Sequence, residues 1–67
     1  MGIYKTLRGR ITQVLREKGP ADSEALAKEL ATPSLVILAC LQIMQTEGLV
    51  IPNLDVKDQL LKPWKLP

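Results

Sequence analysis

Apolar residues recur at helical spacing in the first part of the chain. From position 3 to position 18 they fall on one predicted helix face, which consists of Ile3, Leu7, Ile11, Val14 and Leu15. A lysine, a glycine and a proline follow at positions 18–20, an order that commonly ends a helix. Asp22 is a favourable N-cap for a second helix. The inner stripe of that second helix is predicted to be Leu26, Ala27 and Leu30.

A third helix is predicted between Thr32-Pro33 and Gly48. We expect the threonine to cap it and the proline to occupy the first helical position, where a missing N–H is no loss. Only a short link separates the second and third helices, which is typical of a helix-turn-helix. The inner face of the third helix is predicted to comprise Ile37, Cys40, Leu41 and Met44.

Two short apolar runs follow the third helix. The first is Leu49–Ile51, which Pro52-Asn53 should end, and the second is the C-terminal stretch LLKPWKLP. We expect the two runs to pair as a hairpin, with Trp64 closing the core from the second strand. The path of residues 53–62 stays open, and an extra helical turn beginning near Asp55 or Asp58 is an alternative.

The pattern as a whole predicts one domain over residues 1–67. It is mainly α with a small β-hairpin, in the order of a winged helix-turn-helix with three helices and a two-stranded wing. A chain of 67 residues is too short for a second domain. That the chain is one domain cut from a longer protein is a further alternative.

The residue inventory argues against an enzyme. The chain has no histidine, one cysteine and no glycine-rich phosphate loop, so Ser-His or Cys-His catalytic pairs and Cys/His zinc sites cannot form. We expect no cofactor, no metal site and no small-molecule substrate. Cys40 is expected to be a small buried apolar residue.

Nothing in the hydropathy pattern predicts a membrane segment or a signal peptide. The longest apolar run is Leu35 to Leu41, far shorter than a membrane span, and the N-terminus lacks a long apolar region. We therefore expect a cytoplasmic protein, or a nuclear one if the source is eukaryotic.

The stretch EALAKELATPSLVILACLQIMQTEGLVI and the later PWKL resemble the winged-helix superfamily over nearly the whole chain. The spacing is similar to that of FeoC-like regulators associated with ferrous-iron transport at Leu30, Thr32-Pro33, Ile37, Ala39, Leu41-Gln42 and Gly48. That family typically carries a cysteine cluster in the wing. The only cysteine of this chain lies on the third helix, so the resemblance implies no iron–sulfur site here.

A second resemblance is to the Zα type of domain, which binds left-handed DNA. It covers the scaffold positions Leu30, Thr32-Pro33, Ile37, Leu41 and Pro63-Trp64-Lys65. Zα domains hold phosphates with polar and basic residues on the third helix. The matching positions of this chain are Ser34, Leu35, Leu38, Ala39 and Gln42, so the scaffold is similar and the contact residues differ.

The charge distribution separates the first helix from the helix-turn-helix unit. Residues 1–20 carry five basic groups and one acidic group, whereas residues 21–50 carry one basic group and four acidic ones. Phosphate affinity comes largely from lysine and arginine. The helix that usually enters DNA therefore lies in the acidic part of this chain.

The outer face of the third helix is mostly aliphatic, which is rare on a small protein unless it is an interface. We predict a regulatory module that contacts protein, either a second copy or a larger partner, through Leu35, Leu38, Ala39, Gln42 and Ile43. The competing structural explanation is that the wing or the C-terminal tail covers this face.

The alternative function is a DNA-binding transcriptional regulator that contacts phosphates through the basic first helix and the wing. Its candidate residues are Lys5, Arg8, Arg10, Ser34, Lys57, Lys62 and Lys65. A solvated helix face is the plainer explanation of the charges on the first helix.

Overall fold

A computed structural model describes residues 2–54 and 62–67. Three helices, α1 (Gly2–Lys18), α2 (Ser23–Leu30) and α3 (Ser34–Thr46), are followed by strands β1 (Ile51–Pro52) and β2 (Trp64–Lys65). The strands pair antiparallel. The predicted class, mainly α with a small hairpin, is confirmed, and the arrangement is compatible with a winged-helix-like scaffold. The predicted alternatives for residues 55–61 lie outside the described residues.

The ends of α2 follow from local chemistry. The carboxylate Oδ1 of Asp22 accepts a hydrogen bond from the Ala25 N–H at 2.7 Å, as predicted for an N-cap. At the other end Ala31 adopts a left-handed conformation, with φ of 50°. The N–H of Thr32 then reaches the carbonyl of Ala27, which closes the helix in a Schellman arrangement.

The prediction for the start of α3 is wrong by one residue and in its cap. The helix begins at Ser34, and Pro33 is the N-cap residue, without any side-chain hydrogen bond to the helix. Thr32 does not cap because its hydroxyl instead donates to the carbonyl of Leu30 at 2.9 Å. The carbonyl of Pro33 accepts from the N–H groups of Val36 and Ile37, so the first turn is held by backbone alone.

The first strand lies one to two residues later than predicted. Pro52, expected to break the strand, instead pairs with Trp64, while Ile51 pairs with Lys65. A proline is tolerated because, in the part of the chain that the structure describes, β1 pairs with β2 alone and is an edge strand. The Asn53 backbone N–H continues the pairing to the Pro63 carbonyl at 2.8 Å, and its side chain donates to the Lys62 carbonyl.

A third backbone segment joins the hairpin to the helices. Ala21 and Trp64 exchange two hydrogen bonds, with N···O distances of 2.9 and 3.0 Å. The Trp64 side chain packs, half-buried, against the aliphatic core, as predicted. The hairpin is thereby attached to the loop that precedes α2.

The core lies between the three helices and the residue that leads into β1. Its fully buried members are Ile11, Leu26, Ile37, Leu41, Met44 and Val50. The prediction that Ile3 belongs to the buried stripe of α1 is wrong, since its side chain is 75% exposed. Ile3 lies in the first turn of α1, before Leu7, where burial on that face begins.

Candidate functional site

Both faces of helix α3 are mostly apolar, but one is buried in the core and the other is exposed. The inner face, Ile37, Cys40, Leu41 and Met44, is buried as predicted. These residues recur at three- and four-residue intervals, so the 3.6-residue period of the helix aligns them on one side. The aliphatic residues between them must then lie on the opposite side or at its edges.

The structure brings the five predicted interface residues together on that outer side. Leu35 is 79% exposed and Ile43 is 47% exposed. Ala39 and Gln42 are also exposed, while Leu38 is half-buried. We name this surface, consisting of Leu35, Leu38, Ala39, Gln42 and Ile43, the α3 outer face.

The described part of the C-terminal tail leaves much of the α3 outer face exposed. Trp64 and Leu66 pack against the buried core, and Leu35 and Ile43 keep much of their surface exposed. The face is also free of charge, since α3 contains no Asp, Glu, Lys or Arg between Ser34 and Thr46. This combination of exposure and neutrality distinguishes it from an ordinary solvated helix face.

Two aliphatic residues that were not predicted extend the exposed surface. Val36 and Ile3 line a groove of about 660 Å³ between the starts of α3 and α1. Leu7 and Pro33 contribute further apolar atoms, and Arg10 lies at the same groove. The periodicity placed Ile3 inward and left Val36 unassigned, because it cannot tell how far the neighbouring helices extend.

A small polar cluster lies at the other end of α3. The Tyr4 hydroxyl donates to Glu47 Oε1, and Arg8 Nη1 lies 3.9 Å from the same oxygen. The Arg8 guanidinium is 5.5 Å from the centre of the Tyr4 ring, within range of a cation–π contact. Desolvation, followed by the hydrogen bond to Glu47, raises the pKa of Tyr4 above its usual value.

The basic residues proposed for phosphate contact do not share one surface. Arg8 and Arg10 are two residues apart on α1, and at about 100° per residue they lie on opposite flanks of the helix. Arg8 and Arg16 line one groove of about 600 Å³, whereas Arg10 lies at the groove formed with Val36. Arg8 is in addition paired with Glu47.

The remaining candidates for phosphate contact are dispersed. Lys5 is exposed on α1, Ser34 is half-buried at the start of α3, and Lys65 is half-buried in β2. Lys62 lines a cleft of about 340 Å³ that also contains Lys18, Asp22 and Glu29, so the charge there is mixed. Lys57 lies outside the described residues.

Searches for similar proteins gave a negative result. Neither protein-family models nor curated proteins nor solved structures matched the chain. The function of the α3 outer face must therefore be inferred from the residues of this chain alone.

The described residues offer little for metal or thiol chemistry. Within residues 2–54 and 62–67 no three His, Cys, Asp or Glu side chains gather as a metal site. Cys40 is a free, buried thiol, and burial raises its pKa. A raised pKa keeps the thiol protonated and poorly nucleophilic.

None of the described helices alone is long and apolar enough to cross a lipid bilayer. Helices α2 and α3 together have sufficient length and apolar composition, but their axes are bent by 115° relative to each other.

Proposed function

We propose that this chain is a small regulatory module that binds protein through the α3 outer face. The observation that carries the proposal is the exposure of Leu35. This aliphatic side chain is 79% exposed on a helix that contains no charged residue. Monomeric proteins rarely leave such residues exposed together unless a partner covers them. The mechanism is the burial of a helix face in an apolar groove or against another helix.

The energy available from this face is sufficient for specific contact. Each large aliphatic side chain contributes about 1.5–3 kcal/mol on full burial. Leu35 and Ile43 have most to gain because they are more exposed than Leu38, the other large aliphatic residue of the face. Association costs reduce this sum, so we expect weak affinity, with a few residues contributing most of it.

Site-specific photo-crosslinking in cells that make the protein tests this proposal. A photoreactive residue at Leu35 should form protein adducts, whereas one at Gln13, exposed on α1, should form few. Adding Ile43→Asp to the Leu35 probe should remove most adducts because it introduces a charge into the same contact. Equal adduct yields at the two probe positions would contradict the proposal.

A second candidate function is phosphate contact by α1. The observation in its favour is the groove of about 600 Å³ where Arg8 and Arg16 lie beside Thr12 and Gln13. Binding of this kind would weaken steeply with salt and would tolerate any DNA sequence. Arg8→Ala and Arg16→Ala should then each weaken binding to the same extent on every DNA sequence. Binding that does not depend on salt would count against this function.

A further inference from the structure

We propose that the partner of the α3 outer face is a second copy of this chain, with the two α3 helices antiparallel and Ala39 at their crossing point. This inference rests on the proposed function and names its partner. It is an isologous contact, in which the same face of both copies is buried around a two-fold axis.

The pattern of side-chain size on the face fits such a crossing. Leu35, Ala39 and Ile43 are spaced four residues apart and form one exposed ridge of α3. The small residue at the centre permits a close approach of the two helix axes. With Ala39 on the two-fold axis, Leu35 of one copy lies opposite Ile43 of the other, so large side chains meet on both sides of the crossing.

The charge pattern of α3 favours a partner with an identical, reversed helix. The helix has no acidic residue in its first turn, no basic residue in its last turn and no side-chain N-cap. The partial positive charge at its start and the partial negative charge at its end are therefore not offset by its own side chains. An antiparallel second copy places opposite ends side by side, and a charge-free face causes no repulsion on self-pairing.

The charged residues that flank the face are complementary under the same symmetry. Arg10 lies beside Pro33 and Val36 at the start of α3, and Glu47 lies just beyond its end. Both are on the side of α3 that faces α1, since Glu47 contacts Tyr4 there. A two-fold axis that reverses α3 keeps this side in place and exchanges the ends. It therefore brings Arg10 of one copy toward Glu47 of the other, a carboxylate that also lies 3.9 Å from Arg8 of its own copy.

The size of the face predicts a weak dimer. A helix of 13 residues is about 20 Å long and about 10 Å wide, well short of the roughly 800 Å² per partner in a standard stable interface. The adjoining residues Ile3 and Val36 enlarge the contact without reaching that size. We therefore expect dimers to form only at high chain concentration and to exchange readily.

Sedimentation of the whole chain provides the first test, with a matched pair of variants. The average mass of the wild type should rise with concentration from 7.4 kDa toward twice that value. Leu35→Asp should raise the dissociation constant at least tenfold. Leu54→Asp is the control, since Leu54 is 77% exposed and does not belong to α3, and it should dimerise like the wild type.

Cysteine cross-linking tests the geometry. Ala39→Cys should form a disulfide-linked dimer on mild oxidation, whereas the wild type should not, because Cys40 is buried. Leu35→Cys alone should cross-link poorly, since in the antiparallel pair its two copies lie about 12 Å apart along the axis, beyond disulfide reach. A mixture of Leu35→Cys and Ile43→Cys chains should cross-link. Circular dichroism confirms that each variant is folded.

These experiments distinguish a failure of the dimer proposal from a failure of the proposed function. Efficient self-cross-linking of Leu35→Cys would mean parallel helices and would overturn the geometry. A mass of 7.4 kDa at every concentration, with no Ala39→Cys dimer, would overturn the second copy as partner. Protein adducts at Leu35 in cells would then leave the proposed function standing with another partner, and their absence as well would remove both.

Discussion

The helices α1 and α3 bury their inner sides in the same way and differ on their outer sides. Each places an aliphatic stripe in the core, with Ile11 and Ile37 fully buried. The outer side of α1 carries charged residues such as Lys5 and Arg16, whereas that of α3 presents Leu35 and no charge. The fold requires the inner stripes alone, so the apolar outer side of α3 needs a separate explanation.

This distribution of charge is also the opposite of that expected in a helix-turn-helix that reads DNA. The helix that would read base edges normally carries polar or basic residues. Here the positive charge lies on α1, and part of it is already paired within the protein, as Lys18 Nζ is 2.8 Å from Glu29 Oε1. The comparison supports the proposal that α3, and not α1, is the protein-binding helix.

The largest predicted effect comes from a matched pair of truncations on α3. Ile37→Ala should lower the free energy of unfolding by about 2–5 kcal/mol because it leaves a cavity in the core. Leu35→Ala should change it by less than about 0.5 kcal/mol because that side chain is exposed. Urea denaturation at low chain concentration measures both. Similar losses for the two variants would mean that the outer face belongs to the core.

The two positions with a positive φ at the ends of α2 and α3 should respond in opposite directions to reverse substitutions. Gly48→Ala should destabilise the protein by about 1 kcal/mol, since Gly48 has φ of 78° and alanine resists that region. Ala31→Gly should stabilise it by about 0.5 kcal/mol, since Ala31 already has a positive φ. Thermal unfolding of both variants checks this, and a loss in the second would show that another interaction holds Ala31.

Alkaline pH should lower the free energy of unfolding because Cys40, on the inner face of α3, has a buried thiol. Burial raises the pKa of Cys40 above the ordinary value of 9.0, so stability is unaffected below that value. As pH rises through 9.0 the thiol ionises first in unfolded chains, which lowers the free energy of unfolding. The urea midpoint of the wild type should therefore fall more between pH 8 and pH 10 than that of Cys40→Ala. Parallel falls would contradict this assignment.

The smallest predicted effects on stability come from placing a charged residue on the outer side of α3 and an aliphatic residue on the outer side of α1. Leu35→Lys and Arg16→Leu should each alter the free energy of unfolding by less than about 0.5 kcal/mol, because both positions are exposed. Only Leu35→Lys should reduce association. A marked loss of stability from Leu35→Lys would place this side chain in a contact within the chain.

The periodic features of the fold were predictable because helix burial repeats every 3.6 residues. The inner residues of α3 and the Asp22 cap depend only on near neighbours in sequence, and both predictions are confirmed. The first turn of α1 was not predictable, since the exposure of Ile3 depends on where the packed helices end. The contact between Tyr4 and Glu47 joins residues 43 positions apart, and no local pattern encodes it.

The residues of the α3 outer face could be predicted from helical periodicity in the same way. The extent of the exposed apolar surface around that face could not. Leu35 and Ile43 follow from the spacing on α3, whereas the groove that adds Val36 and Ile3 exists only once α1 and α3 are packed. The separation of Arg8 from Arg10 follows from helical geometry alone. The pairing of Arg8 with Glu47 required the fold.

The most direct test of the central claim, that the apolar side of α3 and not the basic side of α1 is the binding surface, is solution mass by light scattering. The chain is measured over a range of concentrations at low salt, with and without duplex DNA. We predict a mass that rises with chain concentration and does not respond to DNA. A monomer that gains mass only when DNA is added, and loses it again with salt, would show that α1 is the binding surface instead.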